Sequence, residues 1–311
     1  MAAAQARLTV LLPTFNRATS LPRAIESVLG QSRGELALLI SDNASADETA
    51  SLCLQYAERD TRVTYFRQPV NRGPIANFNW LLEHAGSEFV MLLADDDWLD
   101  PDYLERCMPI IENDRSLSIV SGATRYYEDE HPSDLVLNTD LLDASGARRL
   151  MRYLRRSSSS AAFYGVLRAG AVRNALPIPN VMGADWLFVA ALSFSGRVLT
   201  TTKTHLNRTR GGASADFHRI AEVSGLSPRA ARYPHLAIAF NQYRDIATSS
   251  PAYGSLGGAR RHALGLAAVA AIVAGHPFEI LWDALGPLVM HRRVIAVTGP
   301  LRERWRARHP A

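Results

Sequence analysis

Phe89-Val90-Met91-Leu92-Leu93-Ala94-Asp95-Asp96-Asp97 decides how this chain is to be read. A short apolar run, residues 88–93, has the length and composition of a strand buried in a parallel sheet. Three carboxylates follow it. Adjacent carboxylates repel one another, and gathering them without a cation is costly. A hard divalent cation relieves that repulsion. Mg²⁺ is held by one or two carboxylates together with phosphate and water, and Mn²⁺ takes similar oxygen ligands. Taken alone, three acids also suit a helix cap, because Asp100-Pro101 opens a helical pattern. Their place after an apolar strand favours the metal.

The same alternation runs through the first 125 residues. Strands are predicted at 8–12, 36–40, 63–66, 88–93 and 117–123, and helices at 20–30, 46–59, 74–85 and 101–112. Alternation with short connections implies parallel strands in a doubly wound α/β sheet. Beyond residue 125 the pattern changes. A polar loop occupies 128–132, a serine run 157–160, a helix is predicted at 186–194, a strand at 197–201, and mostly helix from 226 onward. The expected division is a nucleotide-binding and catalytic region, 1–215, with a donor half (1–125) and an acceptor half (126–215). A helical C-terminal region, 216–311, follows.

Composition bounds the rest. Of 311 residues, 47% are hydrophobic and 21% charged, as in an ordinary globular protein. Cys53 and Cys107 are too few for a disulfide framework and point to a reducing compartment. No secretory leader pattern is visible at the start, and the apolar stretch 263–275 is too short to span a bilayer. The expected location is therefore cytoplasmic. Residues 201–311 carry fifteen Lys and Arg against six Asp and Glu, whereas the first 200 carry nineteen against twenty-four. A basic C-terminal part suits peripheral contact with the inner face of a membrane, and equally a solvated surface.

In open α/β sheets ligands bind beyond the carboxyl ends of the strands. Three such ends carry polar groups here: Pro13-Thr14-Phe15-Asn16-Arg17, Ser41-Asp42-Asn43-Ala44-Ser45, and the acidic triplet. Asp42 can accept hydrogen bonds from a base or ribose, or close an Asx-turn. Asn71-Arg72-Gly73-Pro74 precedes a helix and can meet phosphate, or be a plain turn. Arg208 and Arg210, with Gly211-Gly212, suit a lid over a diphosphate. His205 beside them is either a structural residue or a further metal ligand.

These motifs, in this order and spacing, resemble family 2 glycosyltransferases of the GT-A fold. The resemblance is strong over residues 7–125 and loose over 126–215. It implies a GT-A type doubly wound mixed sheet flanked by helices, with a mostly helical C-terminal extension. It implies an inverting, metal-dependent transfer of a sugar from a nucleotide-diphosphate donor, most often a UDP-sugar, to a hydroxyl of a glycan, lipid-linked or small-molecule acceptor. Matched residue by residue, the donor set is Pro13, Thr14, Phe15, Arg17, Asp42, Asn43, Arg72, Gly73, Asn77, Asp95 and Asp96, joined by Arg208 and Arg210. Asp97 and Asp95 match the metal-binding acids for Mn²⁺ or Mg²⁺. Asp185, in Gly183-Ala184-Asp185-Trp186-Leu187, stands where the family places its general base, although Ala184 departs from the family's paired acid. The same residues, without the resemblance, leave open a nucleotidyltransferase or a non-catalytic nucleotide-sugar binding module. No nucleic-acid partner is expected.

Overall fold

The computed structural model describes residues 6–128, 131–137, 139–156, 161–209 and 216–285. The first part follows the predicted alternation: β1 (Leu8–Thr14), α1 (Leu21–Leu29), β2 (Leu36–Asp42), α2 (Thr49–Arg59), β3 (Val63–Arg67), α3 (Pro74–His84) and β4 (Phe89–Leu92). Leu8, Val10, Leu11 and Leu12 of β1 are all within 1% of complete burial. Helices cover both faces of this strand, which is why its apolar run is continuous and not alternating. On α1 the buried residues Leu21, Ala24, Ile25 and Val28 form one stripe at helical spacing, and Gly30 ends the helix.

Then come β5 (Trp98–Leu99), α4 (Tyr103–Asn113), β6 (Leu117–Glu128), β7 (His131–Leu137), α5 (Gly146–Arg156), β8 (Val166–Arg168), α6 (Ala169–Arg173), α7 (Ala184–Ser195) and β9 (Arg197–Thr209). The C-terminal part is helical: α8 (Phe217–Val223), α9 (Pro228–Arg232), α10 (Pro234–Arg244), α11 (Gly258–Gly275) and α12 (Pro277–Leu285). Ala221, Ile238, Ala268 and Ile272 from these helices join the same buried cluster as the sheet.

The strands form one mixed sheet in the order β3-β2-β1-β4-β8-β6-β9-β5, with β7 paired to β6. β1 to β4 are parallel to one another, and β8 runs antiparallel between β4 and β6. Thr14 lies opposite Asp42 at the ends of β1 and β2, so the loops that follow leave the sheet side by side.

Several predicted boundaries move. The expected helix 101–112 begins at Tyr103, so Asp100 and Pro101 precede it, and β5 separates the acidic triplet from it. The triplet is therefore not a helix cap. The strands expected at 117–123 and 197–201 run on as β6 and β9. Their second halves carry Arg, Tyr, Thr, His and Asn, which read as loop in sequence because they lack an apolar run. No single described helix is long and apolar enough to cross a membrane, and α11 meets α12 at an 83° bend. The six arginines after position 285, on which much of the expected basic surface depends, lie outside the described residues.

Gly122 shows how closely α4 sits on β6. A Cβ there would lie 2.5 Å from the Tyr103 ring, and the Tyr103 hydroxyl accepts the Gly122 N–H at 3.0 Å. The Gly122→Ala change should destabilise the fold by about 1–3 kcal/mol through overpacking, measured by urea denaturation. A change under about 0.5 kcal/mol would show that α4 can shift freely.

Candidate active site

Two loops at the ends of β1 and β2 are stitched together by hydrogen bonds. The Asn43 N–H donates to the Thr14 carbonyl at 2.9 Å, Asn16 N–H to Ser45 Oγ at 2.9 Å, and Ala46 N–H to Asn16 Oδ1 at 2.8 Å. Arg17 N–H donates to Thr49 Oγ1 at 2.9 Å. Asn16 and Ala44 adopt positive φ, 53° and 64°, a conformation that these contacts must hold against its intrinsic cost. Phe15 is left 42% exposed at the tip, an aromatic face open to a ligand.

Asp42 is completely buried. Its Oδ1 accepts the Ser45 N–H at 2.8 Å, its Oδ2 the Tyr65 hydroxyl at 2.9 Å, and Arg67 Nε stands 3.6 Å from Oδ2. Ser45 thus closes the expected Asx-type turn. Both carboxylate oxygens are engaged within the protein. Asn43 in turn accepts the Arg72 N–H at 3.0 Å and donates to Asn71 Oδ1 at 2.8 Å, which fixes the segment before α3. Gly73, at φ 82°, makes the turn into α3, and Arg72 is exposed. Asn77, expected in the donor set, is 3% exposed, and Ser41 engages both ends of its amide, at 2.6 and 2.9 Å.

The acidic triplet follows β4 on the same side of the sheet. Asp95 faces Arg17, with Nε 3.4 Å from Oδ1. Burial is the main influence on its pKa, Asp96 adds to it, and the net result is a rise to about 6 despite Arg17. The Thr14 hydroxyl approaches Asp95 but completes no hydrogen bond of normal geometry, leaving Oγ1 buried and unpartnered. Asp97, 3% exposed, receives Arg208 Nε on Oδ2 at 2.9 Å. Burial outweighs the pull of Arg208, Asp96 and Asp95 push the same way as burial, and the Asp97 pKa rises to about 7. Among the described residues, no three metal-ligating side chains converge.

Arg208 was expected in a lid. It is instead a buried clamp on Asp97, from the far end of β9, with its guanidinium 4.7 Å from the centre of the Tyr164 ring and 6.0 Å from that of Tyr126. Arg210, Gly211 and Gly212 lie outside the described residues. His205 donates its N–H to Asp100 Oδ2 at 3.0 Å and lies with Nδ1 2.9 Å from the same oxygen, while Arg125 packs on its ring nitrogens. It holds β9 against the segment after β5.

Asp185 sits half-buried in the first turn of α7, behind Gly183 at φ 78°. A carboxylate there is favoured by the positive end of the helix. Tyr164 links it to the triplet. Burial pushes the Tyr164 hydroxyl well up, Arg208 pulls it back, and Asp97, Asp185 and Asp96 add to the rise. Arg208 packs on the ring itself, and the three carboxylates act on its hydroxyl through their charge. Sequence reading missed Tyr164 and Tyr126. Tyr164 stands just before the three-residue strand β8, too short to show a period, and no motif marks either residue.

A mixed sheet with a nucleotide-type crevice at its parallel strand ends defines the GT-A class of transferase folds. The structure of Staphylococcus aureus TarS residues 1–349 with UDP-GlcNAc superimposes with a TM-score of 0.65 at 16% identity, covering 92% of this chain and 77% of that one. The mannosyltransferase PcManGT from Pyrobaculum calidifontis, with GDP-Man and Mn²⁺, gives 0.54 at 20% identity, covering 94% and 83%. The profile for glycosyl transferase family 2 matches residues 9–168, just over half of the chain, and the chain belongs to that family. Among its relatives, the GalNAc(5)-diNAcBac-PP-undecaprenol beta-1,3-glucosyltransferase of Campylobacter jejuni is 40% identical over 94 residues, 30% of each chain. Chondroitin synthase of Escherichia coli is 27% identical over 123 residues, 40% of this chain and 18% of that one. These matches span less than half the length of the curated relatives.

The Asp97–Arg208 pair makes a signed prediction. Asp97 has a folded pKa above its unfolded value, so its contribution to stability is fully present below about pH 4 and is lost as pH rises through about 7. Removing the guanidinium in Arg208→Ala leaves a buried carboxylate unpaired at high pH and a neutral acid at low pH. The variant should lose about 3 kcal/mol at pH 8 and much less at pH 5, measured by denaturant unfolding at both. An equal loss at both pH values would show that packing alone holds Arg208.

Proposed function

We propose that this family 2 glycosyltransferase moves a sugar from a nucleoside-diphosphate donor, a UDP-sugar, to an acceptor hydroxyl with inversion at the anomeric carbon. One observation carries this reading: the triplet after β4 sits between Arg17 from the loop after β1 and the buried Arg208, which packs on Tyr164, whose hydroxyl also feels Asp185. The UDP-GlcNAc complex of TarS and the lipid-linked substrate in the name of the Campylobacter relative support the donor and an acceptor of that class.

Phe15 offers a stacking face for the base. Arg72 and Arg17 bring positive charge to the phosphates, at the start of α3 and beside Asp95. Pro13, Thr14, Asn43 and Gly73 shape the walls. The residues fit a divalent cation. Asp95 and Asp97 are oxygen donors whose pKa values are raised chiefly by burial and further by the neighbouring carboxylates, and the unpartnered Thr14 hydroxyl lies beside Asp95. Two carboxylates, with phosphate completing the shell, are what Mg²⁺ or Mn²⁺ asks for. When bound, such a cation supplies neutralisation of the leaving diphosphate.

Asp185 is the proposed general base. The acceptor oxygen attacks the anomeric carbon as its proton passes to the Asp185 carboxylate, and the bond from that carbon to the diphosphate oxygen breaks. Arg208 keeps Asp97 oriented and the cluster partly neutralised. Tyr164, buried under the Arg208 guanidinium, backs that pair with an aromatic face.

Product analysis tests this directly. With a panel of nucleotide sugars and Mn²⁺, the expected products are free UDP and a glycosylated acceptor. Release of pyrophosphate would indicate nucleotidyl transfer instead, and donor binding without turnover a binding module. In Asp185→Asn, donor affinity should stay within about threefold while turnover falls at least a hundredfold, the usual scale for loss of a general base. Near-normal turnover would remove Asp185 from the mechanism.

A further inference from the structure

A cleft of about 430 Å³ opens at the end of the sheet opposite the acidic triplet. Leu117 at the start of β6 and Arg197 at the start of β9 line it. Because β8 is antiparallel to both β4 and β6, these starts share an end with Phe89, whereas the triplet follows the opposite end of β4. Four arginines line the cleft, Arg115, Arg149, Arg168 and Arg197, and no carboxylate does.

The four divide into two pairs. Arg149 is 6% exposed and donates to the carbonyls of Asp143, Ala144, Ser193 and Phe194 at 2.7–3.0 Å. Arg168 donates to those of Ile111, Asp114 and Leu117 at 2.6–3.2 Å, and its nearest carboxylate, Glu88, is 4.0 Å away. Both guanidiniums are thus fixed by backbone carbonyls at the ends of α7 and α4. Neither has a carboxylate at hydrogen-bond distance among the described residues. Arg115 is exposed and Arg197 half-exposed, and among the described residues neither guanidinium donates a hydrogen bond. Two acids stand nearby. Asp114 accepts the Ser116 N–H at 2.8 Å, and its pKa is held down chiefly by Ser116, with help from the charges of Arg197 and Arg168; Asp143 pairs with Arg152 at 3.3 Å and also acts on Arg149.

Four like charges line one opening; burial lowers the Arg149 pKa, the Arg197 charge adds to that, and Asp143 opposes it. We propose that this cleft binds a phosphate-bearing ligand, contacted by the free forks of Arg115 and Arg197 over the fixed charges of Arg149 and Arg168. Guanidinium forks match the paired oxygens of phosphate, and the space falls in the range of small-ligand sites, larger than a lone carboxylate needs. The site is remote from the triplet, so it stands or falls independently of the transfer reaction.

The test titrates pyrophosphate into the full chain by calorimetry at low ionic strength. Saturable binding that weakens with added salt is expected. The double variant Arg115→Ala/Arg197→Ala, both outward-facing and outside the proposed catalytic set, should fold with an unchanged thermal midpoint and lose at least tenfold in affinity. Affinity within twofold of the parent would place the ion elsewhere and overturn the proposal. Vesicles of phosphatidylglycerol and of phosphatidylcholine distinguish the source. Variant-sensitive binding to the former alone assigns a lipid headgroup, and pyrophosphate binding without vesicle binding assigns a soluble ligand. Binding to neither overturns the site.

Discussion

The buried pair of Asp97 with Arg208 is the contact on which the site depends. It spans 111 residues of sequence and ties the loop after β4 to the far end of β9. A carboxylate with 3% exposure would otherwise be an uncompensated charge in a low-dielectric interior. Arg208 offsets part of that cost and, by leaning on Tyr164, fixes where the aromatic wall of the crevice stands. The compensation is incomplete, since Asp95 and Asp97 still carry raised pKa values. A cluster left short of positive charge is prepared to take more of it.

The rest of the crevice follows from sheet geometry. Parallel strands whose faces are both covered are mostly apolar along their length, so polar residues gather where the strands end. That puts Thr14, Asp42 and the triplet at one edge. The register Thr14 opposite Asp42 then lets Asn16, Asn43 and Ser45 lock the two loops. The reversal at β8 is what lets the second half of the chain return over the same edge, bringing Tyr164 and Arg208 to it.

This division explains what sequence could and could not reveal. β1, β2 and β4 were legible because each is a continuous apolar run followed by a polar loop, and the triplet stood out by sheer charge. Asp42 and Asn77 look like ligand groups in sequence, because polar residues at strand ends and in the first turns of helices usually face solvent. In the structure Ser45 and Tyr65 engage Asp42, and Ser41 engages Asn77. Arg208 was legible as a basic residue near the site but not as a buried partner, since nothing local links it to Asp97. Tyr164 left no trace because it precedes a strand of three residues. The four-arginine cleft was equally hidden: its members come from four separate segments, and each alone reads as a surface charge.

Calorimetric titration of UDP, with and without Mn²⁺, into the parent chain and into Asp97→Ala tests the central claim most directly. If the triplet is a cation and diphosphate site, Mn²⁺ should strengthen UDP binding in the parent, more at pH 7.5 than at pH 5.5, as the protons on Asp95 and Asp97 give way. In Asp97→Ala the Mn²⁺-dependent gain should vanish. The same Mn²⁺-dependent affinity in parent and variant would contradict the account.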